Sequence, residues 1–279
     1  MLVQMPELPD ITVYVERIAE RVLGETLRGA RIANPFVLRT ALPPIAEAVG
    51  RRVVGVRRLG KRIVIELEGD RFLVIHLMIA GRLRWLAPGA KLPGKIGLFG
   101  LDFESGTLAL TEAGSRRRAS LYFVTELATL DRGGLEIEGS SQAEFVAAMT
   151  RERHTLKRAL TDPQIVSGVG NAYSDEILHR ARLSPLRLSD QMDDAEWQRL
   201  HQAAVAVLAE WTARLRAESA GSFPDRVTAF RPDMAVHGKY GQPCPDCGTR
   251  VQRIRHADNE TNYCPSCQTG GRLLADRAL

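Results

Sequence analysis

Cysteine is missing from the first 243 residues of this 279-residue chain. No stretch approaches the roughly 20 uninterrupted apolar residues that a membrane-spanning helix needs. The start has neither the basic region nor the apolar run of a secretory signal. Internal repeats and low-complexity tracts are absent too. These gaps argue against a disulfide scaffold, a membrane protein and a solenoid, and they set the expectation of a soluble intracellular chain. What is there is ordinary for a globular protein, with 44% hydrophobic and 25% charged residues. The length exceeds one usual domain of about 100 to 200 residues, so two or three units are expected.

The net charge of +5 favours a polyanionic partner. Its placement says more. The run "RRVVGVRRLGKR" at 51–62 holds Arg51, Arg52, Arg57, Arg58, Lys61 and Arg62 with no acid, and "SRRRAS" adds Arg116, Arg117 and Arg118. Both lie beside strand-like sequence. Two readings stay open: rows of cations that track phosphates, or charges that guard strand edges against aggregation.

The pattern changes twice along the chain. After Asp10, "ITVYVERIAERVLGE" puts Ile11, Tyr14, Val15, Ile18, Ala19 and Val22 on one helical face, with Asp10 as the expected N-cap and Gly24 near the stop. From about 27 to 125, short Val/Ile/Leu/Phe-rich runs broken by Gly, Pro and Asp predict an antiparallel sandwich. From about 140 to 218 the periodicity is helical, through "SQAEFVAAMTRE", "TLKRALTD", "AYSDEILHRARL" and "DAEWQRLHQAAVAVLAEWTARLRAES". A polar linker follows. The expected domains are 1–130, 131–225 and 226–279.

All four cysteines fall in Cys244-Pro-Asp-Cys247 and Cys264-Pro-Ser-Cys267, two knuckles separated by 16 residues. Thiolates at this spacing clamp one tetrahedral zinc and leave no open position, so the expected Zn²⁺ is structural. Between the knuckles the sequence alternates like a hairpin carrying Arg250, Arg253 and Arg255. In the helical region, Gly168-Val169-Gly170-Asn171 predicts a tight turn aiming backbone N–H groups and an amide outward, a geometry that binds phosphate at a helix start.

Together, "MPELP" at 5–9, Lys61 in "LGKRIVIEL", "HLMIAGRL" at 76–83, "LTDPQIVSGVGNAYSDEIL" and the terminal "YCPSCQ" resemble one family across nearly the whole chain: the formamidopyrimidine-DNA glycosylase and endonuclease VIII family of base-excision repair enzymes. The resemblance implies an α+β multi-domain fold: an N-terminal antiparallel β-sandwich with a leading helix, a helix-two-turn-helix α domain and a C-terminal zinc-ribbon finger. It implies a DNA glycosylase with abasic-site lyase activity, working on double-stranded DNA with a damaged base or abasic site. A monomer in the cytoplasm, nucleoid-associated if bacterial, is expected. Pro6 matches the nucleophile, Glu7 the acid/base carboxylate and Lys61 a phosphate-contacting catalytic lysine. Arg153, Lys157 and Asn171 match phosphate contacts, and Arg116 and Arg117 extend the expected DNA-binding set.

The chain also departs from the family pattern. Asp10 stands where the family usually has glutamate. Asn259 occupies the finger position of a phosphate-binding arginine, five residues before Cys264, and an amide lacks the charge and fork of guanidinium. The Arg-Arg-Phe-Gly motif, whose phenylalanine wedges into the duplex, is replaced by "SRRRASL", leaving Met78 or Ile79 as candidate void fillers. A proline inside the chain is an amide, so Pro6 is nucleophilic only if translation from Met5 and methionine trimming expose it; that start is the expectation. The rival reading is a non-catalytic DNA binder of the same fold, and a zinc-ribbon protein acting on RNA is a weaker third that leaves "MPELP" unexplained.

Overall fold

The computed structural model describes residues 5–114, 117–224, 231–256 and 259–275, without the side chains of His256 and Asn259. The chain forms two compact units, Met1–Asp131 with Thr212–Thr228, and Arg132–Trp211 with Ala229–Leu279.

The first unit opens with helix α1 (Leu8–Val22). Its N-cap is Glu7, and Asp10 is the third helical residue rather than the cap. Pro9 explains the earlier start, because its fixed φ and missing N–H suit the first turn of a helix. Asp10 then reaches back: its Oδ2 accepts the Glu7 N–H at 3.0 Å. At the other end the Leu23 N–H returns to the Ala19 carbonyl, and Gly24 at φ 82° turns the chain away.

Among the described residues eight strands follow, β1 (Gly29–Ile32), β2 (Val53–Leu59), β3 (Arg62–Leu67), β4 (Arg71–His76), β5 (Gly81–Leu86), β6 (Gly97–Asp102), β7 (Thr107–Glu112) and β8 (Ser120–Val124). They make two four-stranded antiparallel sheets, ordered β1-β6-β7-β5 and β2-β3-β4-β8. Strand alternation sends Ile63, Ile65 and Leu67 of β3 and Leu73 and Ile75 of β4 into one core. The same core takes Phe99 and Leu101 of β6, Leu108 and Leu110 of β7, and Ile11, Tyr14, Ile18 and Val22 of α1. Each such side chain contributes about 1.5 to 3 kcal/mol by leaving water. Phe223 belongs to this unit, its ring 5.7 Å from Tyr14 and 6.2 Å from Trp85.

The second unit is helical, with α2 (Gln142–Met149), α3 (Leu156–Thr161), α4 (Asn171–Arg180) and most of α5 (Asp194–Glu218), followed by the hairpin β9 (Gln252–His256) and β10 (Asn259–Tyr263) and the short α6 (Pro265–Thr269). Local sequence sets these starts. Ser141 caps α2 and closes a reciprocal box with Glu144, and Thr155 caps α3 by accepting the Arg158 N–H. Between α3 and α4 the chain turns twice, at Asp162, whose Oδ1 accepts the Gln164 N–H, and at Gly168, with φ 79°. Among the described residues no helix is long and apolar enough to cross a membrane.

Candidate active site and metal centre

Pro6 and Glu7 are both buried where α1 begins, Glu7 only 2% exposed. Lys61 is half-buried in the two-residue turn joining β2 to β3, where Leu59 pairs with Arg62. Gly60 supplies the positive φ, 60°, at the first turn position, which lets a type II′ hairpin form and places Lys61 at its tip rather than within a strand. Helix α1 packs on β2 and β3, so the three expected catalytic residues share one unit and one helix–sheet layer.

Behind Asp10 lies a charged layer that the sequence did not disclose. Burial holds the Arg82 guanidinium below its ordinary value, against the pull of Tyr14, Asp10 and Glu112. Its Nη1 donates to the carbonyls of Ile79 at 3.0 Å and Gly81 at 2.7 Å. It thereby braces a tight turn in which Met78 is left-handed, with φ 52°, and Ile79 is 36% exposed. A side chain at position 81 would run into the Leu77 carbonyl at 2.3 Å, so that turn requires glycine. Glu112, buried at the end of β7, accepts the backbone N–H groups of Arg118 at 2.9 Å and Ala119 at 3.0 Å. An alternating "GRLRWL" and a "TLALTE" look like routine strands, and nothing in their composition marks a half-buried arginine and a buried glutamate.

Several cations of the first basic row are paired at the surface of the same unit. Arg52 pairs with Glu68 at 3.2 Å, Arg57 with Glu66 at 2.6 Å, and Arg51 donates to the carbonyls of Glu47 and Glu68. Arg117 is exposed and donates to the Lys95 carbonyl. Arg116 lies outside the described residues.

In the second unit, Arg153 is exposed and pairs with Asp190 at 2.6 Å. Asn171 is the first residue of α4, capped by Gly170. Lys157 is buried, and its ammonium donates to the Asp175 carboxylate at 2.5 Å and to the Asn171 carbonyl at 2.8 Å. Asp175 is fully buried and also meets His237 Nδ1 at 2.7 Å and the Asn262 N–H at 3.0 Å. Burial pushes its carboxyl up, but the Lys157 charge and the His237 hydrogen bond outweigh that and hold it below its ordinary value. The neighbouring Glu176 accepts the N–H groups of Ala235, Val236 and His237 at 2.8 to 3.0 Å. Two adjacent acids on α4 thus fasten the finger to the helical domain, and neither stood out in "SDEIL".

The four cysteine sulfurs all lie within 4.8 Å of one another. Cys247 and Cys264 are 3.4 Å apart and Cys244 and Cys267 3.9 Å, against about 3.8 Å for thiolates at 2.3 Å around tetrahedral zinc. The first knuckle closes through the Gly248 N–H to the Cys244 carbonyl at 2.9 Å, and Cys264 caps α6. Hydrogen bonds from Thr249 bring the Cys247 thiol down to about 6, whereas burial first pushes Cys264 up to about 11 and raises Cys267 as well. Such a set becomes four thiolates only around a divalent cation, so the donors fit structural zinc. On the hairpin, Arg253 and Arg255 share Glu260, at 3.5 and 3.0 Å, and Arg253 stacks on Tyr240 at 4.1 Å. Asn259 opens β10; its side chain lies outside the described residues.

Three family models match the chain. Residues 5–121 match the formamidopyrimidine-DNA glycosylase N-terminal domain, 136–219 the H2TH domain of that enzyme, and 241–270 the zinc finger found in FPG and IleRS. The formamidopyrimidine-DNA glycosylase of Heliobacterium modesticaldum is 33% identical over 285 residues, covering 95% of this chain and 100% of that protein. The one from Thermus thermophilus is 35% identical over 278 residues, covering 96% and 100%. In fold the chain is similar to the Lactococcus lactis Fpg protein solved in complex with abasic-site DNA, with a TM-score of 0.83 at 24% identity over 94% of this chain and 99% of that one. A MutM structure in complex with carbocyclic 8-oxo-G DNA matches equally, with a TM-score of 0.83 at 24% identity over 95% and 100%.

Proposed function

Because the chain belongs to the formamidopyrimidine-DNA glycosylase family, we propose that its DNA glycosylase and abasic-site lyase chemistry runs through Pro6 and Glu7. With the residues ahead of it removed, Pro6 is a secondary amine at the N-terminal, positive end of α1. That field disfavours its protonation and keeps the lone pair available. The nitrogen attacks the deoxyribose C1′ and then gives up its own proton; the C1′–base bond breaks, and its electrons leave with the base, which takes up a proton. The sugar ring opens as O4′ accepts a proton, and the nitrogen lone pair gives an iminium. The iminium acidifies the C2′ proton, whose loss expels the 3′ phosphate and cuts the strand. Glu7 moves the protons, and Asp10 holds the Glu7 backbone in place.

Lys61, Arg117 and Arg153 contact the DNA backbone in this reading. Lys157 acts through Asn171, whose carbonyl it holds. Arg116 and Asn259 take backbone-contact roles on resemblance alone. Ile79, apolar and exposed on its braced turn, fills the gap left by the extruded base, a step that offsets part of the unstacking cost of a few kcal/mol. The zinc supplies no step; held by Cys244, Cys247, Cys264 and Cys267, it keeps the finger folded. The enzyme acts as a monomer in the cytoplasm, on double-stranded DNA bearing a damaged base or an abasic site.

The observation that carries this reading is the adjacency of buried Pro6 and Glu7 at the start of α1. Borohydride reduction on abasic-site DNA tests it, with protein made to begin at Met1 and at Met5. Cross-linking of the Met5 form alone is expected. Tight binding by both forms with no cross-link from either would leave a DNA binder without chemistry.

A further inference from the structure

We propose that His179 is an outer partner of the zinc site, donating its Nε2–H to the Cys244 thiolate and so tying metal retention to the last turn of α4. The imidazole is 4% exposed, Cys244 is 2% exposed, and Nε2 lies 3.3 Å from Cys244 Sγ. Four thiolates complete the tetrahedron, so the histidine stays outside it. A metal-bound thiolate has no proton to give, and the nitrogen facing it must therefore be the donor, which fixes the tautomer. Asp246, inside the first knuckle, approaches the same nitrogen, with its Oδ2 at 4.0 Å. Four thiolates on a dication leave excess negative charge, and a directed N–H from a rigid helix draws part of it off Cys244. His179 is eight residues along α4 from Asn171, about 12 Å by helical rise. One helix therefore touches the metal shell near its end and the phosphate-contact position at its start.

The test uses full-length protein carrying zinc and, in parallel, cobalt(II). His179→Phe keeps a flat ring but removes the donor, and His179→Gln restores an N–H at about the same reach. Transfer of zinc to a chromogenic chelator is expected to run about 10-fold faster in His179→Phe, the low end of the range for outer partners of metal ligands. The sulfur-to-cobalt charge-transfer bands should move to lower energy in that variant, because the thiolate becomes more electron-rich. His179→Gln should return both readouts close to the parent protein. If the phenylalanine variant does not fold, His179→Asn, whose amide stops short of the sulfur, takes its place in the same comparison. Unchanged release and unchanged bands in the donor-less variant would overturn the proposal. So would equal changes in the donor-less and glutamine variants, which would reduce His179 to packing.

Discussion

Two pairs of buried acids behave differently. At α4, Asp175 and Glu176 are consumed by bracing: Asp175 takes donors from Lys157, His237 and Asn262, and Glu176 takes three consecutive backbone N–H groups. At α1 the two acids close a reciprocal box across one helical turn. Asp10 accepts the Glu7 N–H, the Glu7 carboxylate accepts the Asp10 N–H, and Glu7 in addition sits beside the proposed nucleophile. The lesson is that burial of a carboxylate does not identify its job; its partners do. An acid whose partners come from several chain segments holds structure, and an acid placed beside a reacting group by another acid is positioned for proton transfer.

The sharpest way to separate the regions is to remove the metal. Structural zinc contributes roughly 10 to 16 kcal/mol to the folding of such modules. A chelator should unfold the finger, lower DNA affinity and leave most helix signal by circular dichroism, with the sandwich unit unchanged. Unchanged DNA affinity after verified zinc loss would take the finger out of the binding account. Next in size, Glu7→Gln should slow single-turnover base excision by about 10² to 10⁴-fold while leaving thermal stability nearly unchanged. A large drop in melting temperature would make Glu7 a second brace.

The reverse outcome is expected at α4. Asp175→Ala strands the buried Lys157 charge and should destabilise the protein by about 3 to 5 kcal/mol in denaturant titration. The pH dependence follows from the direction of the shift. The Asp175 carboxyl is held below its ordinary value, near 3.9 when unperturbed. Its stabilisation is therefore complete above that range and is lost as pH falls through the lower folded value. Asp175→Asn should flatten the acid limb of the stability profile and leave the neutral plateau level. A plateau that slopes between pH 6 and 8 would implicate another group. The smallest effect belongs to Asp10. Asp10→Ala should cost about 1 kcal/mol by removing the carboxylate that accepts the Glu7 N–H, whereas Asp10→Glu, which can close the same box, should stay within about 0.5 kcal/mol.

Much of this was legible in the sequence. The two knuckles specify the metal ligands by spacing alone, and the periodicity switch from 2 to 3.6 separates sandwich from helices. The roles proposed for Pro6, Glu7 and Lys61 rest on resemblance, since a proline beside a glutamate at a helix start has no chemistry of its own. What composition could not show was register. The row at 51–62 looks uniformly basic, yet the β2–β3 hairpin carries Glu66 to Arg57, and Arg52 finds Glu68. Lys157 reads as a helix-surface cation until the two-turn connection brings Asp175, 18 residues on, against it. Arg82 and Glu112 stayed hidden because strand alternation says which face a side chain takes, and the ends of β5 and β7 set what waits there. Asp10 shows the local limit of such reading: an N-cap by residue type, it became a third-position partner because Pro9 lets the helix begin earlier.

The central claim is that the amine of Pro6 forms the bond to C1′, and the direct measurement is to locate the borohydride-trapped adduct by peptide mass. Protein starting at Met5 should carry the sugar remnant on the peptide whose first residue is Pro6, with the preceding methionine gone. An adduct on Lys61, or trapping that persists when the amine of Pro6 is acylated, would contradict the account.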